Sequence, residues 1–209
     1  MLGHLSGFDK MKKLLLLSDG LKSPKIKREF LKLLDKPAKE NRILIMHTAK
    51  KPSQLEYVRN AKSRFVSTGI RKQNICEVDI TKRADPKKFK DFDVFFSMGG
   101  NTFYILDRVR KTGFDKYIKD FVGQGKFYIG VSAGSILVGP DIRISFDENE
   151  IKLRNLRGLK LINTMISPHF SEERKDRINR IRKQMGYPIV ELRDGQAFEI
   201  VGNKTKIIK

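Results

Sequence analysis

Apolar positions along this chain fall into two alternating patterns. Short continuous apolar runs are separated by segments whose apolar residues recur every three or four positions. The runs are Leu14–Leu17, Ile43–Met46, Ile75–Val78, Asp93–Met98 and Phe127–Val131. Each has the length of a strand, and most are near-continuously hydrophobic, as strands buried on both faces are. Between the first two, Ser23-Pro24 reads as a helix start, and Ile26, Phe30, Leu33 and Leu34 form an inward stripe reaching Asp35. Pro52–Thr68 reads as a second helix, with Leu55, Val58, Phe65 and Val66 inward and Gly69 as its stop. Buried strands alternating with amphipathic helices predict βαβ units, hence an α/β fold with a mostly parallel sheet and helices on both faces. Such sheets bind ligands beyond the carboxyl ends of their strands.

After Val131 the pattern changes. Ile142–Ser145 alternates like an exposed strand, and Leu161–Ile166 reads as a further strand running into Ser167-Pro168-His169-Phe170. Ser171–Met185 predicts a very basic helix, with Arg174 where a capping box would carry an acid. Pro188–Leu192 and Gln196–Val201 flank the turn Arg193-Asp194-Gly195, and Gly202-Asn203 joins the last run to Lys206–Ile208 in a C-terminal β-hairpin. Residues 1–10 have no periodicity and precede a second methionine, Met11. They are expected to be a disordered extension, leaving 11–209 as a single α/β domain.

Composition narrows the function. The net charge of +20 is the one feature that favours nucleic acid. Tryptophan is absent, no basic block is interleaved with stacking aromatics, and no zinc-finger spacing occurs. Specific nucleic-acid binding is therefore not expected, and a positive field equally draws in acidic small substrates. No apolar run approaches the roughly 20 residues of a membrane span, and no signal peptide is evident. These features predict a cytoplasmic protein. The single cysteine, Cys76, excludes an intramolecular disulfide and is expected to be a small buried residue.

The candidate chemistry centres on Gly130-Val131-Ser132-Ala133-Gly134. An apolar strand before a Gly-x-Ser-x-Gly pentad, with an apolar helical run after it, is the context of a nucleophile elbow. Gly130 and Gly134 leave room for strand and helix to pass close together. Ser132 is the candidate nucleophile. A serine nucleophile needs a base and the base an orienting acid. The chain has three histidines. His4 lies in the unpatterned start and His47 closes an early strand, so His169, at a strand end, is the candidate base. Asp194 and Asp147 compete as its acid. Gly99-Gly100-Asn101 follows the fourth strand. The Gly100 amide, with that of Ala133, could form an oxyanion hole, and Asn101 could cap the next helix or hold a substrate terminus.

Taken together, Gly99-Gly100-Asn101-Thr102-Phe103, Gly130-Val131-Ser132-Ala133-Gly134-Ser135, Ile142-Arg143 with Asp147 beyond, Ser167-Pro168-His169-Phe170 and Leu192-Arg193-Asp194-Gly195 resemble the aspartyl dipeptidase (peptidase E) and cyanophycinase-like family of serine peptidases. The resemblance implies a class I glutamine-amidotransferase-like fold. It implies Ser132 as nucleophile, His169 as base, Asp194 as third member (where the family often has Glu) and the Gly100 and Ala133 amides as oxyanion donors. Asp147 stands where the family has an acid near the site and is the second choice. Arg174 and Arg177 occupy plausible places for binding an acidic substrate side chain. The segment after His169 looks shorter than in typical aspartyl dipeptidases, which counts against that specificity. The expected function is hydrolysis of short peptides through an acyl-enzyme, by a monomer or homodimer, with no metal or organic cofactor. An α/β-hydrolase esterase, which would favour Asp147, and a basic nucleic-acid-binding protein are the alternatives.

Overall fold

The computed structural model describes residues 11–209. The expected N-terminal extension, with His4, lies outside the described residues. Five apolar runs form parallel strands: β1 (Lys13–Leu17), β2 (Ile43–His47), β3 (Ile75–Asp79), β4 (Val94–Ser97) and β5 (Phe127–Val131). The C-terminal hairpin, β8 (Ala197–Val201) and β9 (Lys204–Ile208), adds two antiparallel strands beside β1. The sheet order is β3-β2-β4-β5-β1-β8-β9.

Alternation along the strands sends neighbouring side chains to opposite faces. Leu14 and Leu16 enter one hydrophobic core with Phe95, Phe121 and Tyr128, while Leu15 and Leu17 enter the other with Phe30, Phe65 and Phe96. The second core is closed by α1 (Pro24–Lys32) and α2 (Pro52–Val66). The first is closed by α3 (Thr102–Thr112), α4 (Phe114–Gly123) and α5 (Ala133–Leu137). Ser23 caps α1, accepting from the Ile26 N–H at 3.1 Å. Gly113, at φ 78°, ends α3 and starts α4, because a left-handed residue there turns the chain with no side-chain clash.

The region after α5 departs from expectation. Ile142–Ser145 is not a strand. Ile142 and Ile144 are both buried, and Ser145 turns back to hydrogen-bond Thr102, so the alternation arose from irregular backbone packed on the core. The expected Leu161–Ile166 strand is β6 (Met165–Ser167), only three residues long. It pairs in parallel with β7 (Ile189–Glu191) across α6 (Lys175–Met185). The segments flanking Arg193-Asp194-Gly195 therefore belong to two different sheets. Cys76 is exposed, not buried, because β3 is an edge strand with its outer residues in solvent. Among the described residues, no helix is long and apolar enough to cross a membrane.

Candidate active site

At the end of β5 the chain makes a turn with almost no free volume. Tyr128 is fully buried and donates its hydroxyl to the Gly134 carbonyl at 2.8 Å, tying strand to helix. Burial raises its phenol pKa, so it remains a donor. A Cβ on Gly130 would stand 2.4 Å from the Gly134 oxygen, and one on Gly134 would stand 2.3 Å from the Ser97 oxygen. Only glycine fits either position. Between them Ser132 is forced to φ 51° and ψ −112°, a strained conformation for a residue with a side chain. The strain holds its hydroxyl away from the sheet.

His169 reaches that hydroxyl from another sheet. The parallel β6–β7 pairing continues past the strands, with Leu192 N–H donating to Ser167 at 2.9 Å and Phe170 N–H to Leu192 at 2.9 Å. His169 and Asp194 follow these strands by two and three residues and so emerge side by side. His169 Nε2 lies 2.9 Å from Ser132 Oγ, and Nδ1 lies 2.6 Å from Asp194 Oδ1. A carboxylate only accepts, so Nδ1 carries the proton and Nε2 is left to accept from the serine.

Ser18, directly after β1, is not among the candidates the sequence offered. Its buried hydroxyl accepts the His169 N–H at 2.8 Å and lies 2.9 Å from Asp194 Oδ1. It thereby joins the two residues to the main sheet. A polar residue closing an apolar strand was the available signal. Asp19 accepts from the Gly195 N–H at 2.9 Å and pairs with Lys22 at 2.7 Å, fixing the turn that carries Asp194. Burial opposes ionisation of Asp19, but Lys22 and the Gly195 N–H outweigh it and hold its pKa below the usual carboxylate value.

Gly99 packs on Ser132, since a Cβ there would lie 3.3 Å from Ser132 Cβ. Gly100 follows at φ 145°. Among the described residues no backbone carbonyl accepts from the N–H of Gly100 or of Ala133. Asn101 caps α3, accepting from Tyr104 N–H at 3.1 Å and donating to the Glu148 carbonyl at 2.8 Å. It also lines the cavity onto which Ser132 opens, a space of about 670 Å³ along the carboxyl ends of β1, β2, β4 and β5.

Two expectations need correction. Asp147 does not meet His169. It accepts from the Thr102 N–H at 2.7 Å and from the hydroxyls of Thr102 and Ser145 at 2.6 and 2.9 Å, so it caps α3 from outside. With Asp147 committed there, the serine–acid–histidine order of the esterase alternative has no support. Arg174 and Arg177 do not line the cavity. Both guanidinium groups lie over the Phe146 ring, at 4.5 and 4.3 Å from its centroid, and they donate to the Pro168 and Ser145 carbonyls. The cavity's cations are instead Lys22, Lys50, Lys51 and Arg64. No group of three or more His, Cys, Asp or Glu side chains among the described residues could hold a metal ion.

The family model described as peptidase family S51 matches residues 14–208, nearly everything that the structure describes. The chain belongs to peptidase family S51. It is 30% identical over 122 residues to an uncharacterised peptidase of Listeria monocytogenes, across 55% of this chain and 58% of that protein. It is 29% identical over 154 residues to peptidase E of Shewanella amazonensis, across 68% of this chain and 66% of that protein. These alignments thus span less than two thirds of either relative. A longer one, 28% over 180 residues, covers 84% of an uncharacterised peptidase of Pasteurella multocida and 80% of this chain. The crystal structure of a candidate peptidase E from Listeria monocytogenes superposes with a TM-score of 0.77 at 25% identity, covering 95% of this chain and 98% of that one. The expected mostly parallel, glutamine-amidotransferase-like sheet agrees with that likeness. A peptidase from an acI-B1 actinobacterium shares the fold, with a TM-score of 0.74 at 17% identity.

Proposed function

We propose that this chain is a serine peptidase that hydrolyses short peptides through an acyl-enzyme on Ser132. The observation that carries the reading is the continuous relay from Ser132 Oγ through His169 to Asp194, at 2.9 and 2.6 Å, at the mouth of an open cavity. Ser132 Oγ attacks the scissile carbonyl carbon while its proton passes to His169 Nε2. Asp194 holds the tautomer that leaves Nε2 free and stabilises the imidazolium. The developing oxyanion is received by the Gly100 and Ala133 N–H groups. The C–N bond then breaks and His169 returns the proton to the leaving amine. Water, deprotonated by the same imidazole, cleaves the ester and regenerates the hydroxyl.

A cavity of this size suits a ligand of about two to three residues. That favours a dipeptidase-like preference, and the relatives named peptidase E point the same way. An acidic first residue would meet the Lys50 and Lys51 side of the cavity, not Arg174 or Arg177. Residues 11–209 are read as one working domain, with no need of a cofactor.

The decisive test is Ser132→Ala in a screen of dipeptides that differ at the first residue. Hydrolysis should fall by at least about a thousandfold with the melting temperature essentially unchanged, since alanine keeps the Cβ and the backbone conformation and removes only the hydroxyl. The wild type should react covalently at Ser132 with a serine-directed fluorophosphonate. Undiminished turnover in the variant would remove Ser132 as nucleophile.

A further inference from the structure

The cavity at Ser132 continues along one face of α2, where Gln54, Tyr57, Ala61 and Arg64 recur at helical spacing. At its far end the Arg64 guanidinium lies over Gly20. A Cβ on Gly20 would stand 3.3 Å from Arg64 Nη1. Gly20 is two residues beyond Ser18, which holds the His169 backbone, so Arg64 closes the cavity on the side of the base.

Of the other charged groups lining this space, Lys22, Asp19 and Lys50 already have partners, and Lys51 and Glu150 complete the set. Lys22 pairs with Asp19 at 2.7 Å, and Asp19 also takes the Gly195 N–H. Lys50 lies over the Tyr104 ring, 5.3 Å from its centroid. Among the described residues, no carboxylate or carbonyl accepts from the Arg64 side chain. A half-buried guanidinium without an acceptor forfeits hydrogen bonds it would make in water, and its planar fork matches a carboxylate.

The chemistry decides which carboxylate. His169 hands its proton to the departing amine, so the leaving residue must lie on the His169 side of the scissile bond. In a dipeptide that residue ends in a free α-carboxylate. We propose that Arg64 binds the C-terminal carboxylate of the leaving residue, which restricts the enzyme to peptides whose chain ends one residue after the scissile bond. This assignment rests on the peptidase reading of Ser132.

The test compares the fastest dipeptide from the screen above with its C-terminal amide, in the wild type, Arg64→Ala, Arg64→Lys and the control Arg59→Ala, an exposed cation of α2 outside the cavity lining. The wild type should prefer the free acid by about 10- to 100-fold in kcat/KM. Arg64→Ala should lose most of that preference by slowing the acid, with the amide unchanged within about twofold. Arg64→Lys should keep part of it and Arg59→Ala all of it, so a poorly folded alanine variant would still leave the lysine variant to report. Equal losses on acid and amide in both Arg64 variants, or a wild type indifferent to the carboxylate, would overturn the role of Arg64 while leaving Ser132 standing. A wild type that cleaves no peptide would sink the peptidase reading and this proposal with it.

Discussion

Around Ser132 the packing leaves no room for a single methyl group. Gly134 approaches the Ser97 carbonyl so closely that a Cβ would sit 2.3 Å from its oxygen, against backbone that cannot rotate away. Gly134→Ala must therefore push α5 off β4 and carry the Ala133 N–H with it. We expect kcat to drop by about 100-fold or more, the cost of a displaced oxyanion donor. The melting temperature should fall by several degrees, of the order seen for overpacked sites. Steady-state kinetics with thermal unfolding checks both. A fully active, equally stable variant would mean the turn is softer than its contacts indicate.

At the scale of elements, two aspartates that look alike in sequence serve different segments. Asp194 hangs from the turn after β7 and meets the imidazole, whereas Asp147 holds the first turn of α3 directly after Gly99-Gly100-Asn101. Asp194→Ala should cut kcat by about a thousandfold or more with little change in melting temperature, because its side chain is 62% exposed and adds little to folding. Asp147→Ala removes a cap, and typical cap losses translate to a drop of about 2 to 6 °C, with a smaller loss of turnover. Measuring kcat and unfolding for both variants separates the roles. The opposite ranking in kcat would return Asp147 to the relay.

Across the whole molecule, the C-terminal hairpin is tied to the second core through charge. Lys206 on β9 reaches Glu29 on α1 at 2.7 Å, and Lys32 adds a second contact at 2.9 Å. The Lys206 hydrogen bond, helped by Lys32, lowers the Glu29 pKa from 4.5 to about 2. A carboxylate depressed on folding stabilises the fold above its unfolded pKa, and that contribution fades as pH falls from 4.5 towards 2. Because the pair is near the surface, Glu29→Gln should lower the melting temperature by only about 1 to 3 °C near neutral pH. The difference should close as the pH approaches 2. Unfolding curves of the two proteins across this range test it, and a gap that stays constant with pH would show that Glu29 acts by packing.

The sheet was legible because its signal is local. Runs such as Leu14–Leu17 and Ile43–Met46 must be buried on both faces wherever they lie, and the glycines flanking Ser132 announced a tight turn by spacing alone. What followed Val131 was less legible. Alternation at Ile142–Ser145 and the apolar setting of Cys76 describe which residues avoid water, not which strand has a neighbour, and edge position is a property of the assembled sheet. The sequence alone determined the five parallel strands, the two helices between the first three of them, and the candidacy of Ser132 and His169. Only tertiary structure decided between Asp194 and Asp147, brought in Ser18 from 151 residues before His169, and moved the cavity's cations from Arg174 and Arg177 to α2 and its approach. The physical reason is that a hydrogen bond is fixed to a few tenths of an ångström, and no local pattern carries the long-range packing that sets such a distance.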